Sequence, residues 1–480
     1  MRDFESACQQ TTDKTQREQI ALAALSFLLQ NSTPDILIEQ EINEEINNES
    51  DSPSPITPLP EGEFDLDETL CANVEARLAD FFPSIFRLVN TFPDPAVAIS
   101  LLTRARILSQ KVDDWRQNDY WTPLFDFLRN ATTDQWRQWR SGVIAQQKAR
   151  GAIGGSQFER SKQLAIYGLQ RLVGVPDYRL YLDLCSRLEN AIAEGDAYYC
   201  VAIALGYWVV KESLVAGHYL RAAGMRHNLG NQLLISGRNA EAINVLELAQ
   251  QLCNDYWTVH DMSYYQTNVL ERLACAYLNR GDAIRSTDHL ARYDFNAQQP
   301  REQTLHRLGR GGLAMHAGTH DVAEQKFVEA RQFAQGGGNP PKDFFNLWSA
   351  HVSLGWVCTL CNKPVDALAH LQKSLDHGET LPGFLNADRE SHYSLTMAEA
   401  KILKNALAEA QTTINAAAAL IQGFDLPRRQ MQLRLTTASL RDAEGNGNEA
   451  QNLRNQAIQI ALTNGFDASD IGRLKMAVFA

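Results

Sequence analysis

Apolar residues recur along most of this 480-residue chain at intervals of three and four, the spacing that gathers them on one face of an α-helix. No convincing alternating run of five or more residues marks a β-strand. The spacing predicts helices over Asp67 to Asn90, Asp94 to Lys111, Asn118 to Asn130, Thr133 to Lys148, Ser156 to Leu172, Asp177 to Ala193 and Asp196 to Ser213. Pro93 and Pro95, the glycine-rich segment 151–155 and Pro176 break the pattern between them. Near the start, Ile20, Leu22, Ala23, Ala24, Leu25, Phe27 and Leu28 predict one short helix over Thr15 to Gln30. A lone helix of that length is marginal in water. It is expected to be an ordinary capping helix or an unstructured tail, or else to fold back through the acidic segment that follows it and compete with a partner for the body's groove.

The C-terminal half repeats itself. Ala223 to Asn254 carries Leu229 and Gly230 on a first helix, Leu233 three residues on, Gly237 at a turn, then Ala242, Leu246 and Ala249 on a second helix. Further copies begin near Thr267 (Leu273, Ala274, Tyr277, Gly281, Leu290), Thr304 (Gly311, Gly318, Ala323, Phe327, Ala330) and Trp348 (Leu354, Gly355, Ala367, Leu371). Two less regular copies begin near Ser391 (Ala398, Ala410, Ile414, Ala417) and Met431 (Ala438, Gly445, Ala450, Ala457). Small residues at fixed places let two helices approach closely, while large apolar ones fill the joints between pairs.

This pattern resembles the tetratricopeptide repeat. The resemblance implies an all-α fold, a right-handed α-solenoid of antiparallel helix pairs, with an additional helical region at the N-terminal side. The copies start 44, 37, 44, 43 and 40 residues apart, longer than the roughly 34 of the standard repeat. Helices or loops are therefore extended, as at Gly336 to Pro341. Long repeats of this style resemble those of bacterial regulators, including ones fused to signalling ATPases or caspase-like proteases.

In that family the inner groove is lined by the second, fifth, ninth, twelfth and thirteenth positions of each first helix. Carried over copy by copy, these positions include His227, Asn231, Asn268, Glu271, His316, Trp356, Glu399 and Gln432. The carboxylate clamp used by chaperone-binding members is not present in this register, because His227 and Asn231 are followed by Arg272, Leu305 and Gly309. A mixed groove of this kind implies a peptide or helical segment held by apolar anchors with polar edges.

The formal net charge of −12 changes the picture only locally. Glu39 to Glu68 holds eleven acids and no base, which leaves 46 acids against 45 bases in the rest of the chain. A near-neutral body argues against attraction to a nucleic-acid backbone. The same segment carries Pro53, Pro55, Pro58 and Pro60 among small polar residues, so it is expected to be a disordered linker. Eight dispersed cysteines do not describe a disulfide-stapled secreted domain. No apolar run approaches the roughly 20 residues of a membrane span, and Asp3 and Glu5 do not suit a signal peptide. The expected compartment is the cytoplasm.

The sequence lacks G-x-S-x-G, H-E-x-x-H and G-x-x-x-x-G-K-S/T, so no catalytic residue, cofactor or metal is expected. Four other arrangements bear on chemistry. Cys358 and Cys361 form a C-x-x-C without a second pair, which suits helix packing better than zinc. His316, His320 and Asp321 lack a clear further ligand. His227, His260, Asp261 and Asp288 follow the order of a helical H...H-D...D metal phosphohydrolase, the one enzymatic alternative. Trp115 to Arg150 interleaves aromatics and bases, as a single-strand binder does, but also contains Asp119, Asp126 and Asp134, and so reads as an aromatic core with a mixed-charge face.

The expected organisation is a segment 1–38 with one short helix, an acidic linker 39–68, a helical region 69–222 and a repeat solenoid 223–480. The expected function is a protein-interaction scaffold or adaptor that binds a protein or peptide. The alternative within that class is a regulatory subunit or substrate of a larger signalling or defence assembly.

Overall fold

The computed structural model describes residues 1–32, 36–48, 82, 95–116, 120–255, 263–296, 300–336, 344–381 and 383–469. The described residues form helices and connecting turns, with no strand among them. Among the described residues, the helices before the repeats are α1 (Arg2–Gln10), α2 (Lys14–Asn31), α3 (Ile36–Asn48), α4 (Pro95–Arg116) and α5 (Trp121–Asn130). Eight pairs follow. They are α6 (Thr133–Gly154) with α7 (Phe158–Arg171), α8 (Tyr178–Asp196) with α9 (Tyr199–Val215), and α10 (Tyr219–Ile235) with α11 (Asn239–Asp255). Next come α12 (Ser263–Asn279) with α13 (Ala283–Asn296), α14 (Pro300–His316) with α15 (His320–Gln335), and α16 (Phe344–Leu360) with α17 (Pro364–Glu379). The last are α18 (Ala387–Leu403) with α19 (Leu407–Ile421) and α20 (Pro427–Ala443) with α21 (Gly447–Asn464). Each helix packs on its partner, and the first helices of successive pairs touch one another along the array. The first helices therefore form the inner wall of an α-solenoid.

The joint inside a pair explains the small residues of the repeat. A Cβ on Gly230 would lie 2.5 Å from the Leu246 side chain, one on Gly311 2.2 Å from Phe327, and one on Gly355 2.7 Å from Leu371. The step from small to large residue is the same in all three, so one close approach recurs in one register. The turn recurs too. Two residues after the inner helix ends, the chain enters the left-handed region at Gly237, Gly281, Gly318, Asn362, Asn405 and Gly445. Asn tolerates that conformation better than other side-chain-bearing residues, which is why the copies near Trp348 and Ser391 keep the turn without its glycine.

Each copy found in the sequence starts one turn inside the observed inner helix: Ala223 against Tyr219, Thr267 against Ser263, Met431 against Pro427. Pairing also extends back to Thr133, and the largest apolar cluster runs through both halves, from Cys8 to Leu426. Trp121, Phe125 and Trp139 belong to this cluster, and Trp139 Nε1 donates to buried Asp177 at 2.8 Å. The aromatic stretch is thus core rather than an exposed stacking platform.

Residues 39–48, expected as the start of a disordered linker, are instead helical in α3. Ile38, Ile42 and Ile46 are spaced by four and buried against Ile144, Ala149, Leu164 and Tyr167. The acids beside this stripe meet bases of the solenoid: Glu41 and Glu45 sit 3.0 and 2.7 Å from Lys148, and Glu41 lies 2.7 Å from Arg160. Composition suggested disorder, but the spacing of three isoleucines decides the segment. Residues 49–68, His260, Asp261, most of 69–94 and the 337–343 loop lie outside the described residues.

The N-terminal helix does fold back, but not into the groove. Helix α2 packs on α7 and α9, outer helices of their pairs, and Gln170 Nε2 donates to the Leu29 and Ser32 carbonyls at 2.8 and 2.9 Å. Glu5 of α1 accepts from the Cys200 and Val201 amides at 3.0 and 2.9 Å. It thereby caps α9, whose own N-cap residue Tyr198 makes no side-chain capping bond. The competition expected of this segment has no footing in that placement.

The solenoid also returns on itself. Arg389 of α18 pairs with Glu194 of α8 at 2.8 Å, and Asn386 Nδ2 donates to the Glu194 carbonyl at 2.9 Å. Further along, the Asp467 amide donates to the Asn279 carbonyl at 2.9 Å. These contacts bring late pairs against early ones and enclose the inner wall.

Candidate functional site

The enclosed inner wall surrounds a cavity of about 190 Å³. Its lining moves steadily along the inner helices. Asn231, Leu234 and Ile235 come from the last turn of α10, and Glu271 to Asn279 from the second half of α12. Leu305 to Gly312 lie in the middle of α14, Phe345 to Ser353 in the first half of α16, and Arg428 and Arg429 in the first turn of α20. Each pair is turned and shifted relative to the one before, so the cavity crosses successive inner helices at earlier and earlier positions.

The apolar wall includes Leu278, Leu290, Leu305, Leu308, Phe327 and Val352. The polar wall is built from ion pairs, two of them buried. Arg389 with Glu194 and Arg429 with Asp388 are each 2.8 Å apart, and Arg272 lies 3.1 Å from Glu271. Burial costs such charges their hydration, and close pairing offsets that cost. His392 Nδ1 lies 3.1 Å from Gln432 Oε1, an oxygen that accepts; burial, then the charge of Arg429, pushes the imidazole pKa well below the usual range and keeps it neutral. Half-buried Arg428 is held below an ordinary arginine, at about 10, by loss of hydration and then by the charges of Arg429 and Arg272. Just outside the wall, burial raises Glu189 to about 8, and Gln232 donates to it. The arrangement holds charge of both signs beside an apolar surface, and the Cys275 thiol, pushed up by burial, donates to Glu271 at 3.3 Å.

Of the eight groove residues named from the sequence, the structure brings Asn231 and Glu271 to this cavity. His227 is half-buried, bonds Asn228 at 3.2 Å, and is pushed by burial down to about 3. Asn268 is buried. His316 closes α14 and is half-buried. Trp356 is buried in an apolar cluster with Met315 and Met431. Glu399 is buried and accepts from Ser439 at 3.1 Å. Gln432 is wholly buried and also donates to the His392 carbonyl at 3.3 Å.

Leu234, Ile235, Cys275, Leu278, Asn279, Leu305, Leu308, Ser349, Val352 and His392 also occupy positions of the family register and line the cavity. Arg272, Arg389, Arg428 and Arg429 lay outside the choice, although Arg428 and Arg429 follow Pro427 at a helix start, where cations are unusual.

Among the described residues, the remaining arrangements are not gathered into sites. Asp288 is exposed on outer helix α13, apart from inner-helix His227. Asp321 meets Glu324 and Cys361, with ligand atoms within 4.8 Å of one another, rather than forming a site with His316 and His320. Lys363 already neutralises Glu324 at 2.9 Å. Cys358 packs with Ala367 and Ala400, and the described cysteines are all free thiols.

No family model matches the chain, and no curated protein matches it. Among solved structures it is similar to a Rap protein complexed with competence and sporulation factor, at 10% identity and a TM-score of 0.51, over 82% of this chain and 99% of that one. It is also similar to the apo form of the quorum sensor NprR from B. thuringiensis, at 10% identity and a TM-score of 0.46, over 81% and 98% of the two chains. BtubC from P. vanneervenii matches at 18% identity and a TM-score of 0.35, over 48% of this chain and 92% of that one. Among the described helices, no single one is long and apolar enough to cross a membrane. With its paired helices, recurrent turns and the fold it shares with the Rap protein, the chain is a tetratricopeptide-like helical-repeat protein, an all-α solenoid.

Proposed function

We propose that this chain is a cytoplasmic adaptor or regulatory scaffold that holds a peptide, or an extended segment of a partner protein, in the cavity enclosed by its inner helices. The observation that carries the reading is the wall itself, to which the inner helices of seven pairs contribute apolar side chains and buried ion pairs. Such a wall anchors side chains of a linear ligand and satisfies its backbone at the edges. The similar Rap structure is described as complexed with competence and sporulation factor, and a solenoid of this shape is suited to the same kind of use here.

Replacing Ser349, half-buried on the cavity wall, by Trp fills the space without touching the pair joints. A protein partner recovered from native extract by the wild-type chain, and identified by mass spectrometry, is expected to be lost from Ser349→Trp at unchanged helical circular dichroism. Equal recovery by both proteins would move the binding surface elsewhere.

A further inference from the structure

One face of α1 grips a single residue of α9. The Glu5 carboxylate accepts from the Cys200 amide at 3.0 Å, and one turn further along α1 the Cys8 thiol donates to the Cys200 carbonyl at 3.4 Å. The Cys200 side chain leaves the backbone between these two bonded groups. Both thiols lie in one apolar cluster, Cys8 wholly buried and Cys200 at 6% exposure. Two cysteines 192 residues apart in the chain are thus brought together at one contact between helices, and both are free thiols.

Buried cysteines commonly serve as small packing residues. The setting of Cys8 differs from that of the others. Among the described cysteines it alone is held below the ordinary thiol range, first by its side-chain bond with Cys200, whereas Cys185, Cys253 and Cys358 are pushed up by burial. Arg17 adds positive charge nearby, its Nε donating to the Cys8 carbonyl at 3.2 Å. A thiolate is the form that reacts with oxidants and with disulfides. Helix α1 has nine residues and rests on α2 and α9, so it opens to admit a small oxidant without unfolding the repeats.

We propose that Cys8 and Cys200 are a reversible redox pair, oxidised by a peroxide to a disulfide that fastens α1 to the head of α9. The Cys8 sulfur attacks one peroxide oxygen, the O–O bond breaks, and the other oxygen leaves as water, which gives a sulfenic acid at Cys8. The Cys200 sulfur then attacks that sulfur, the S–O bond breaks, and a second water leaves with the Cys200 proton. Two thiols and one peroxide become one disulfide and two waters. In a reducing compartment the pair stays open until an oxidant arrives, and thiol exchange restores it.

The test treats the reduced full-length protein with hydrogen peroxide, blocks the remaining thiols with N-ethylmaleimide, and digests it with trypsin without reduction. Mass spectrometry is expected to find peptide 3–14 joined to peptide 188–211, each of which contains one cysteine, and dithiothreitol should separate them. Amide exchange across α1 should slow at least about tenfold in the oxidised protein. Cys8→Ala and Cys200→Ala should each lose the joined peptides and the slowing, while keeping the helical circular dichroism of the wild type. Recovery of both peptides carrying maleimide after peroxide would overturn the pair, and so would Cys8 joined to any other cysteine.

Discussion

The N-terminal helices and the repeats are fastened by different means. Helices α1 to α3 rest on the solenoid through contacts that occur once each: Glu5 on the amides of Cys200 and Val201, Gln170 on the carbonyls of Leu29 and Ser32, and Lys148 between Glu41 and Glu45. The repeats are fastened by one device used again and again, the glycine pressed against a large side chain of the paired helix at Gly230, Gly311 and Gly355. A unique contact can be removed with only local consequences, because nothing else depends on it. A repeated joint transmits its loss to the neighbouring pair, because each pair is stable mainly through its neighbours.

The largest effect should come from breaking a joint. Gly311→Val places side-chain atoms within the volume of Phe327, whose ring already lies 2.2 Å from where a Cβ would be. Overpacking of this severity costs about 3 kcal/mol or more, and thermal unfolding should show the loss as a single lowered transition. A change below ~1 kcal/mol would mean that the joint relaxes freely and that the repeats are not held by it.

Removing Glu5 should have a smaller and local effect. Its carboxylate is buried and takes two amides at the head of α9, so Glu5→Ala leaves those donors without their acceptor, at a cost of about 1–3 kcal/mol. Amide hydrogen exchange should rise across α1 and α2 and at Cys200 and Val201 but remain unchanged in α14 to α21. Faster exchange throughout the solenoid would erase the distinction between the two regions.

Acid should separate the regions in the opposite sense, because all eleven histidines lie at residue 218 or beyond. Burial holds His227 and His351 at about 3. His351 packs between His370 and His377 of α17, with Arg331 of α15 and Lys373 of α17 adding positive charge. The unfolded chain binds these protons from about pH 6.5 downward and the folded chain does not. This contribution is therefore constant above about pH 6.5, and stability falls as the pH drops from there toward 3. By pH 5.5 each buried histidine should cost about 1 kcal/mol. The melting temperature of His351→Gln should fall less steeply with acid than that of the wild type, and equal slopes would remove His351 from the account.

How much of this was legible in the sequence depends on how local the signal is. The inner helices begin one turn before each copy recognised from its small residues, because the first turn carries packing from the previous pair rather than the repeat's own mark. Helix α3 was hidden by its acids, although Ile38, Ile42 and Ile46 carried the helical spacing in plain view. Asn231 and Glu271 were found because the family positions hold at the middle of the array. Arg389, Arg428 and Arg429 were missed because they serve the cavity from the first turns of α18 and α20, where the superhelix has carried the wall away from the helix centre.

What the sequence determined by itself is the class of fold, its period and its turns. Helical spacing, close-packed glycines and left-handed Gly or Asn positions are all settled within one pair or between neighbours, over distances that the order of residues records. The cavity belongs to the tertiary structure. It exists because small rotations between pairs accumulate until α18 meets α8, which brings Arg389 to Glu194 and sets Arg428 within the field of Arg272. No repeat encodes that accumulated angle, so the charge collected inside the turn is decided only when the whole solenoid has closed upon itself.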